Sequence, residues 1–468
     1  MNVYLPIEVK VRELEGKILL ALTAAERGHA VILGEKKDTI NLAKKGQLPP
    51  GIIHDKSLTP GAYKIKNYIQ LKEYGHLITA QDEESGLLDE SYDDFAKRRF
   101  SEETVSMADR VFAWGGHDYN SLKSIYPEHA DKIVATGSPR VDFWRREFND
   151  YFKKNDSDLK SYILVVSNFG YPIDQNPFWN RIARLREAGY LERDTEMEKY
   201  MYENTAYQYR LLYRFIEMIR QLAETFPNKD IIVRPHPVDS LDAWNNLLVP
   251  KNNIIINREN SISGWIRNAS VIIHNGCTSA LEAAASGIPR IAYRPIPDAL
   301  ERAIPNNVSM QIFSLDDLKS TVSDLLEKEN KVDTATIEPG SGILNNRLSS
   351  LTDRFAAEKI VDEWEIIGEL ADLKSSAADQ LLAAKPQKKQ KIKKLLKNRV
   401  IQIRNILLKQ ENETKKNGRL LKTAHKFPSL YDDEMGFIVN NIQNSLNRFR
   451  NVQIVRYGEK AFIFFRDK

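Results

Sequence analysis

Short apolar runs recur through most of the chain, separated by polar turns and by stretches of helical spacing. "NVYLPIEV", "HAVILGEK", "HLITAQDEE", "RVFAWGG" and "KIVATGSPRVD" read as a first set of strands. Between the first two, Ile18, Leu19, Ala21, Leu22 and Ala25 share one side of a predicted helix over 13–27, and Gly28 supplies its stop. After the charged, pattern-poor stretch "RREFNDYFKKNDSDLKS" the alternation restarts with "YILVVSNFG", "DIIVRPHP", "NIIINREN", "SVIIHNG" and "RIAYRP". A long helix is expected over 205–226, a short one in "SISGWIRNA", and further helices over 314–328 and 347–373, the last placed to cross back to the first set. Strands alternating with helices predict parallel, doubly wound sheets, here two of them.

At 468 residues the chain is too long for one core. The expected organisation is a Rossmann-like domain over 1–150, a second over 151–373 that includes the crossing helix, a basic segment over 374–426 and a small module over 427–468. Composition is ordinary for a globular protein, with 42% hydrophobic and 28% charged residues. The single cysteine, Cys277, excludes an internal disulfide framework and a cysteine-built metal site, which fits a reducing cytoplasm. Charges come too early in "MNVYLPIEVKVRELEG" for a secretory leader, and no apolar run is long enough to span a bilayer. The net charge of +4 is concentrated late in the chain, so the main body carries no footprint for nucleic acid.

Ligands of doubly wound sheets bind beyond the carboxyl ends of the strands. In the first domain these ends carry Asp82, Glu83 and Glu84, then Ser138 and Arg140. In the second they carry Arg234 and His236, then His274, Asn275, Gly276, Thr278 and Ser279. The turn "HNGCTS" feeds a helix, so its free N–H groups, dipole and hydroxyls suit a phosphate, with Glu282 one turn in to meet a ribose. The alternative is that Thr278 or Ser279 merely caps that helix. There is no Gly-x-x-x-x-Gly-Lys run, hence no P-loop. In "RPHP" two prolines pin the backbone, and Arg234 with His236 suits a leaving phosphate; the bland reading is a surface turn. Neighbouring carboxylates in "DEES" raise one another's pKa and suit general acid–base chemistry, or are simply solvated. "ATGSPRVD" reads equally as a hinge and as a binding turn through Arg140. Arg12 and Glu13 either touch substrate or start a helix. No metal-ligand set is expected.

These motifs, in this order, resemble the GT-B glycosyltransferases, whose fold is two Rossmann-like domains with a cleft between them. "HNGCTSALEAAASGIP" is similar to their donor-nucleotide segment, and "RPHP" to the His-Pro motif of bacterial sialyltransferases and capsule Kdo transferases. "DEESG" resembles their acidic motif, although Ser85 stands before Gly86, which leaves open which carboxylate aligns. "AERGHAVILG", "WGG" and "TGSPRVD" are similar to surface carbohydrate biosynthesis proteins. The resemblance covers roughly residues 1–370. It implies a cytoplasmic enzyme of bacterial surface polysaccharide synthesis that uses a CMP-sugar of the Kdo or nonulosonic acid type and a glycan or lipid-linked glycan acceptor, with no further cofactor. On that reading His236, Thr278 and Ser279 hold the donor phosphate, Glu282 meets ribose, and one of Asp82, Glu83 or Glu84 is the catalytic carboxylate. A CDP-glycerol-type polyol-phosphate transferase and a UDP-sugar enzyme or 2-epimerase are the nearest rivals. A nucleotide-binding scaffold and a membrane-tethering adaptor are rivals of another class.

Between Lys385 and Lys426, Ile392, Leu395, Leu396, Val400, Ile403 and Leu407 recur at helical spacing among basic residues. This reads as a basic amphipathic helix for peripheral contact with the inner membrane face, or as a packed helix with a solvated side. The tail reads as a helix and two strands, "VQIVRYG" and "KAFIFFR", without a functional reading.

Overall fold

The computed structural model describes residues 1–466 apart from 85–86, 88–90, 153–160, 188, 190, 194, 249–250, 329–340, 374–426 and 428. The chain divides into two units: Met1–Gly86, Ser91–Phe143 and Arg347–Lys468 form one, and Leu87–Glu90 with Trp144–Asn346 the other. Each is a doubly wound α/β unit, as the alternation predicts.

The first unit begins with six parallel strands, β1 (Asn2–Ile7), β2 (Ala30–Glu35), β3 (Ile52–Asp55), β4 (Leu77–Gln81), β5 (Arg110–Ala113) and β6 (Ile133–Ala135), in the order β2-β1-β3-β4-β5-β6. All six residues of β1 are buried, which a strand covered on both faces by helices requires. The Lys10–Glu26 helix buries Leu14, Ile18, Leu19, Leu22 and Ala25 beneath it. The short β3 falls below the threshold of the hydrophobic pattern, because Ile52 and Ile53 are its only two apolar residues.

The second unit carries β7 (Tyr162–Val166), β8 (Ile231–Arg234), β9 (Ile254–Ile256), β10 (Ala269–His274), β11 (Arg290–Tyr293) and β12 (Met310–Ile312), in the order β12-β11-β10-β7-β8-β9 with every pair parallel. Its long helix, Glu196–Thr225, starts nine residues before the apolar periodicity does, because Thr195 caps it by accepting the Glu198 N–H at 3.3 Å. Leu211, Leu212, Phe215, Ile219 and Leu222 form its core face, beside Ile163, Val233 and Ile273 of the sheet.

The structure draws two boundaries differently from the expected 1–150, 151–373 and 427–468. The helix Ala356–Leu370 belongs to the first unit, not the second. Asp142, fully buried, accepts the N–H groups of Ala356 at 2.9 Å and Ala357 at 3.0 Å, and so caps that helix. Gly137 sits at φ +84°, and a Cβ there would collide with Ser350 of the returning segment. Trp364, also fully buried, donates to Thr79 Oγ1 at 3.0 Å on β4. The tail is likewise part of the first unit's sheet. Strand β14 (Ala461–Arg466) pairs antiparallel with β2 and with β13 (Val452–Arg456), extending the order to β13-β14-β2. Arg448 then ties Glu26 and Glu358 together at 2.7 Å each. The basic segment between Lys385 and Lys426 lies outside the described residues. Among the described residues no helix is long and apolar enough to cross a membrane.

Candidate functional site

The three adjacent carboxylates after β4 have different fates. Asp82 is an anchor. Arg99 grips it with Nε at 2.8 Å and Nη2 at 3.2 Å, its Oδ1 caps the Glu84 N–H at 2.9 Å, and its carbonyl accepts Trp114 Nε1 at 2.9 Å. Glu84 is exposed and pairs with Arg12 at 3.0 Å; against a desolvation cost, Arg99, Arg12 and Lys56 hold its pKa below the usual value. Glu83 is 8% exposed and has no side-chain hydrogen bond to a described residue. Burial pushes its pKa up to about 7, with Glu13 and Asp82 pushing the same way against Lys17 and Arg140. Its carboxyl lines a small pocket with Arg12, Lys17, His54, Gln81 and Arg140.

The walls of this pocket are built by side chains that sequence reasoning largely missed. Glu13 and Lys17, one helical turn apart and both buried, pair at 2.9 Å. Glu13 Oε1 also accepts the Val9 N–H at 2.8 Å, and Lys17 donates to the Pro6 carbonyl at 2.6 Å, so the pair locks the loop after β1. His54, at the end of β3, hydrogen-bonds Thr79 Oγ1 at 3.1 Å and meets Trp364 edge-on; burial lowers its pKa to about 3, so it is neutral. Asp55 beside it is held well below the usual carboxylate range: despite burial, Lys36 at 2.7 Å and Lys64 at 2.9 Å keep it charged. The i,i+4 spacing of Glu13 and Lys17 was visible in the sequence; the convergence of His54 and Asp55 depends on β3.

Within "ATGSPRVD" the residues separate by role. Ser138 Oγ accepts the Arg140 N–H at 3.3 Å and caps the short turn Pro139–Asp142. Gly137 and Asp142 seat the returning helix. Pro139 and Arg140 are the members that line the Glu83 pocket, Arg140 supplying its charge.

In the second unit the residues beyond β7, β8 and β10 are organised by one that the sequence reading did not single out. Asp239, fully buried three residues after His236, accepts at Oδ2 from Ser167 Oγ (2.6 Å), the His236 N–H (3.0 Å) and Trp244 Nε1 (3.1 Å). It fixes the "RPHP" turn. His236 itself is exposed; its Nδ1 accepts the Val238 N–H at 3.3 Å, and desolvation on that side lowers its pKa in spite of Asp239. Its Nε2 has no hydrogen-bond partner among the described residues. Arg234 is turned away from this role. Its guanidinium is spent on the carbonyls of Asn257 (3.2 Å), Glu259 (2.6 Å) and Asn260, over the Trp265 ring, and burial with Arg258 nearby lowers its pKa to about 10.

The "HNGCTS" turn is also divided. His274 is fully buried between Ser309 Oγ at 2.8 Å and the Gly276 N–H at 3.1 Å, with its pKa lowered to about 3 by burial and Arg290. It is therefore a neutral strand-end anchor rather than a ligand group. Gly276 takes φ +88°, and its carbonyl accepts Asn168 Nδ2 at 2.9 Å, which ties the ends of β7 and β10. Asn275 keeps both side-chain polar atoms buried and without a partner among the described residues. Thr278 is exposed, already helical in φ and ψ, and makes no side-chain cap. Ser279 and Glu282 are buried, and burial lowers the pKa of Arg267 against the opposing charge of Glu282. The helix Ser279–Ala285 has seven residues. Of the residues expected at this edge, Thr278 and His236 are exposed and Asn275 is half-buried.

No family model matches the chain, and no curated protein does. Solved structures do. A putative UDP-N-acetylglucosamine 2-epimerase from Listeria monocytogenes aligns at TM-score 0.43 and 13% identity over 79% of this chain and 97% of its own. UDP-GlcNAc 2-epimerase from Neisseria meningitidis, bound to UDP-GlcNAc, aligns at 0.45 and 12% over 78% and 100%. The wall teichoic acid polymerase TagF, soaked with CDPG, aligns at 0.46 and 10% over 79% and 89%. Likeness at this level assigns the chain neither a family nor a substrate.

Proposed function

We propose that this protein is a glycosyltransferase of the GT-B type, acting in surface polysaccharide synthesis with a nucleotide-activated donor. Glu83 carries the reading. It is a carboxyl with pKa near 7, buried in a pocket at the carboxyl edge of the first sheet, and not bound up as Asp82 and Glu84 are. Such a group takes a proton at neutral pH and gives it back. In the proposed reaction it accepts the acceptor hydroxyl's proton as that oxygen bonds the sugar carbon. The bond from the sugar to the donor phosphate breaks, and the nucleotide leaves with the electron pair. Burial, Glu13 and Asp82 favour the protonated form and Lys17 and Arg140 the carboxylate, which together keep the group near its midpoint. In the second unit His236, Asn275 and Thr278 are proposed to meet the donor, with Asp239 positioning His236. Arg234 and His274 are left out because their partners are internal.

The proposed donor is a CMP-activated acidic sugar, on the strength of the likeness of "RPHP" to CMP-sugar enzymes. The test is a thermal-shift screen with CMP, CDP, UDP and GDP on the parent protein and on His236→Ala. A nucleotide at 100 times its dissociation constant adds about 2.7 kcal/mol. Stabilisation by CMP that the variant loses supports the reading. Stabilisation by UDP or CDP alone replaces the donor, and no response to any of the four overturns the donor site.

A further inference from the structure

The long helix Glu196–Thr225 buries one side in its own unit and leaves another exposed among the described residues. Tyr202, Tyr209 and Tyr213 are 51%, 56% and 63% exposed, and Ala206 between them is exposed too. Their spacing is four, three and four residues, which draws one straight seam down a helix, as in paired helices. Large aromatic side chains are costly to leave in water, and a continuous row of them marks a surface that another surface covers. The row continues past the helix: Tyr202 touches the Phe178 ring at 5.2 Å between centroids, and Trp179, next to Phe178, is 70% exposed.

The charges beside the seam say what covers it. Glu203 and Arg210 flank it, both exposed, and neither has a hydrogen bond or ion pair among the described residues. They stand seven residues apart, about 10.5 Å along the axis, too far to pair with each other. A two-fold axis crossing the helix at the level between Ala206 and Tyr207 carries Glu203 onto the position of Arg210, and Arg210 onto that of Glu203. The small Ala206 then lies where the two helices approach most closely.

We infer that this seam pairs antiparallel with the same helix of a second copy of the chain, with Glu203 of each copy facing Arg210 of the other. The interface is isologous, so a single charge reversal acts twice.

Sedimentation equilibrium on the full chain tests this with Glu203→Arg, Arg210→Glu and the double exchange. The parent is expected to be a dimer. Each single reversal sets like charges opposite each other at two places and is expected to raise the dissociation constant about tenfold or more. The double exchange restores both pairs and returns the constant to near the parent value. Circular dichroism confirms that each variant is folded. A monomeric parent overturns the inference, as do single reversals that leave a dimer unchanged, or a folded double exchange that stays monomeric. A monomeric parent that sediments with phosphatidylglycerol vesicles overturns it in favour of a lipid surface.

Discussion

Replacing Glu83 with glutamine removes one titration from the folded protein and leaves the shape of the side chain in place. In the folded chain the Glu83 carboxyl holds its proton up to a pH of about 7; its ordinary value is 4.5. Between these two values the folded form carries a proton that the unfolded form has released, so stability falls as pH rises through the window. Each pKa unit is worth 1.36 kcal/mol, and a shift of this size destabilises the parent by about 3 kcal/mol above the folded pKa and by nothing below the ordinary one. Glu83→Gln is therefore expected to match the parent at about pH 4.5 and to exceed its stability by about 3 kcal/mol at about pH 8. Because the chain has two units, a single unfolding curve does not isolate this effect. Hydrogen-exchange labelling of peptides covering β1 and β4 across a urea series reports the first unit alone. A gap between variant and parent that is the same at both pH values refutes the reasoning, as does a parent that gains on the variant when pH rises. On the proposed function the stabilised variant is also inactive, which is the expected signature of a group held at a cost for its chemistry.

Two further outcomes follow from the way the first unit closes. Asp142→Ala leaves the Ala356 and Ala357 N–H groups without acceptors in a buried place; at roughly 1.5–3 kcal/mol for each bond to a charged group, the same exchange measurement is expected to show a loss of about 3 kcal/mol or more. Phe464→Ala empties a fully buried position on β14 beside β2, and is expected to cost about 3–5 kcal/mol, read as a lower urea midpoint of the first unit.

Both doubly wound sheets were legible in the chain, because fully buried parallel strands leave continuous apolar runs such as "YILVV" and "SVIIH". Strands β3 and β12 were not, since each has too few apolar residues to stand out from a loop. The return of 347–373 and of the tail to the first unit was hidden for another reason. It is decided by Asp142, Gly137 and the free edge of β2, which lie hundreds of residues away, and no local pattern records such a pairing. The site divides the same way. The sequence places Glu83, His236 and Thr278 at strand ends, as found. It could not tell Glu83 from Asp82, because the difference is made by Arg99, nor foresee that Arg234 and His274 would be consumed by carbonyls and by Ser309.

The first unit is interrupted by the second and is finished by residues that follow it. During synthesis this has a consequence in time. After β6 leaves the ribosome, about 220 residues must be made before the helix Ala356–Leu370 begins and about 330 before the β13–β14 hairpin is complete. At roughly 5–20 residues per second, the hairpin follows β6 by about 15–65 seconds. Until those segments arrive β2 is a bare sheet edge and Asp142 a carboxylate without its helix, while the second unit, contiguous in the chain except for Leu87–Glu90, can fold at once. The later-made domain is thus the first to be complete. The nascent first domain is the stage at which a chaperone, or a neighbouring chain on the same messenger, finds an open strand to hold.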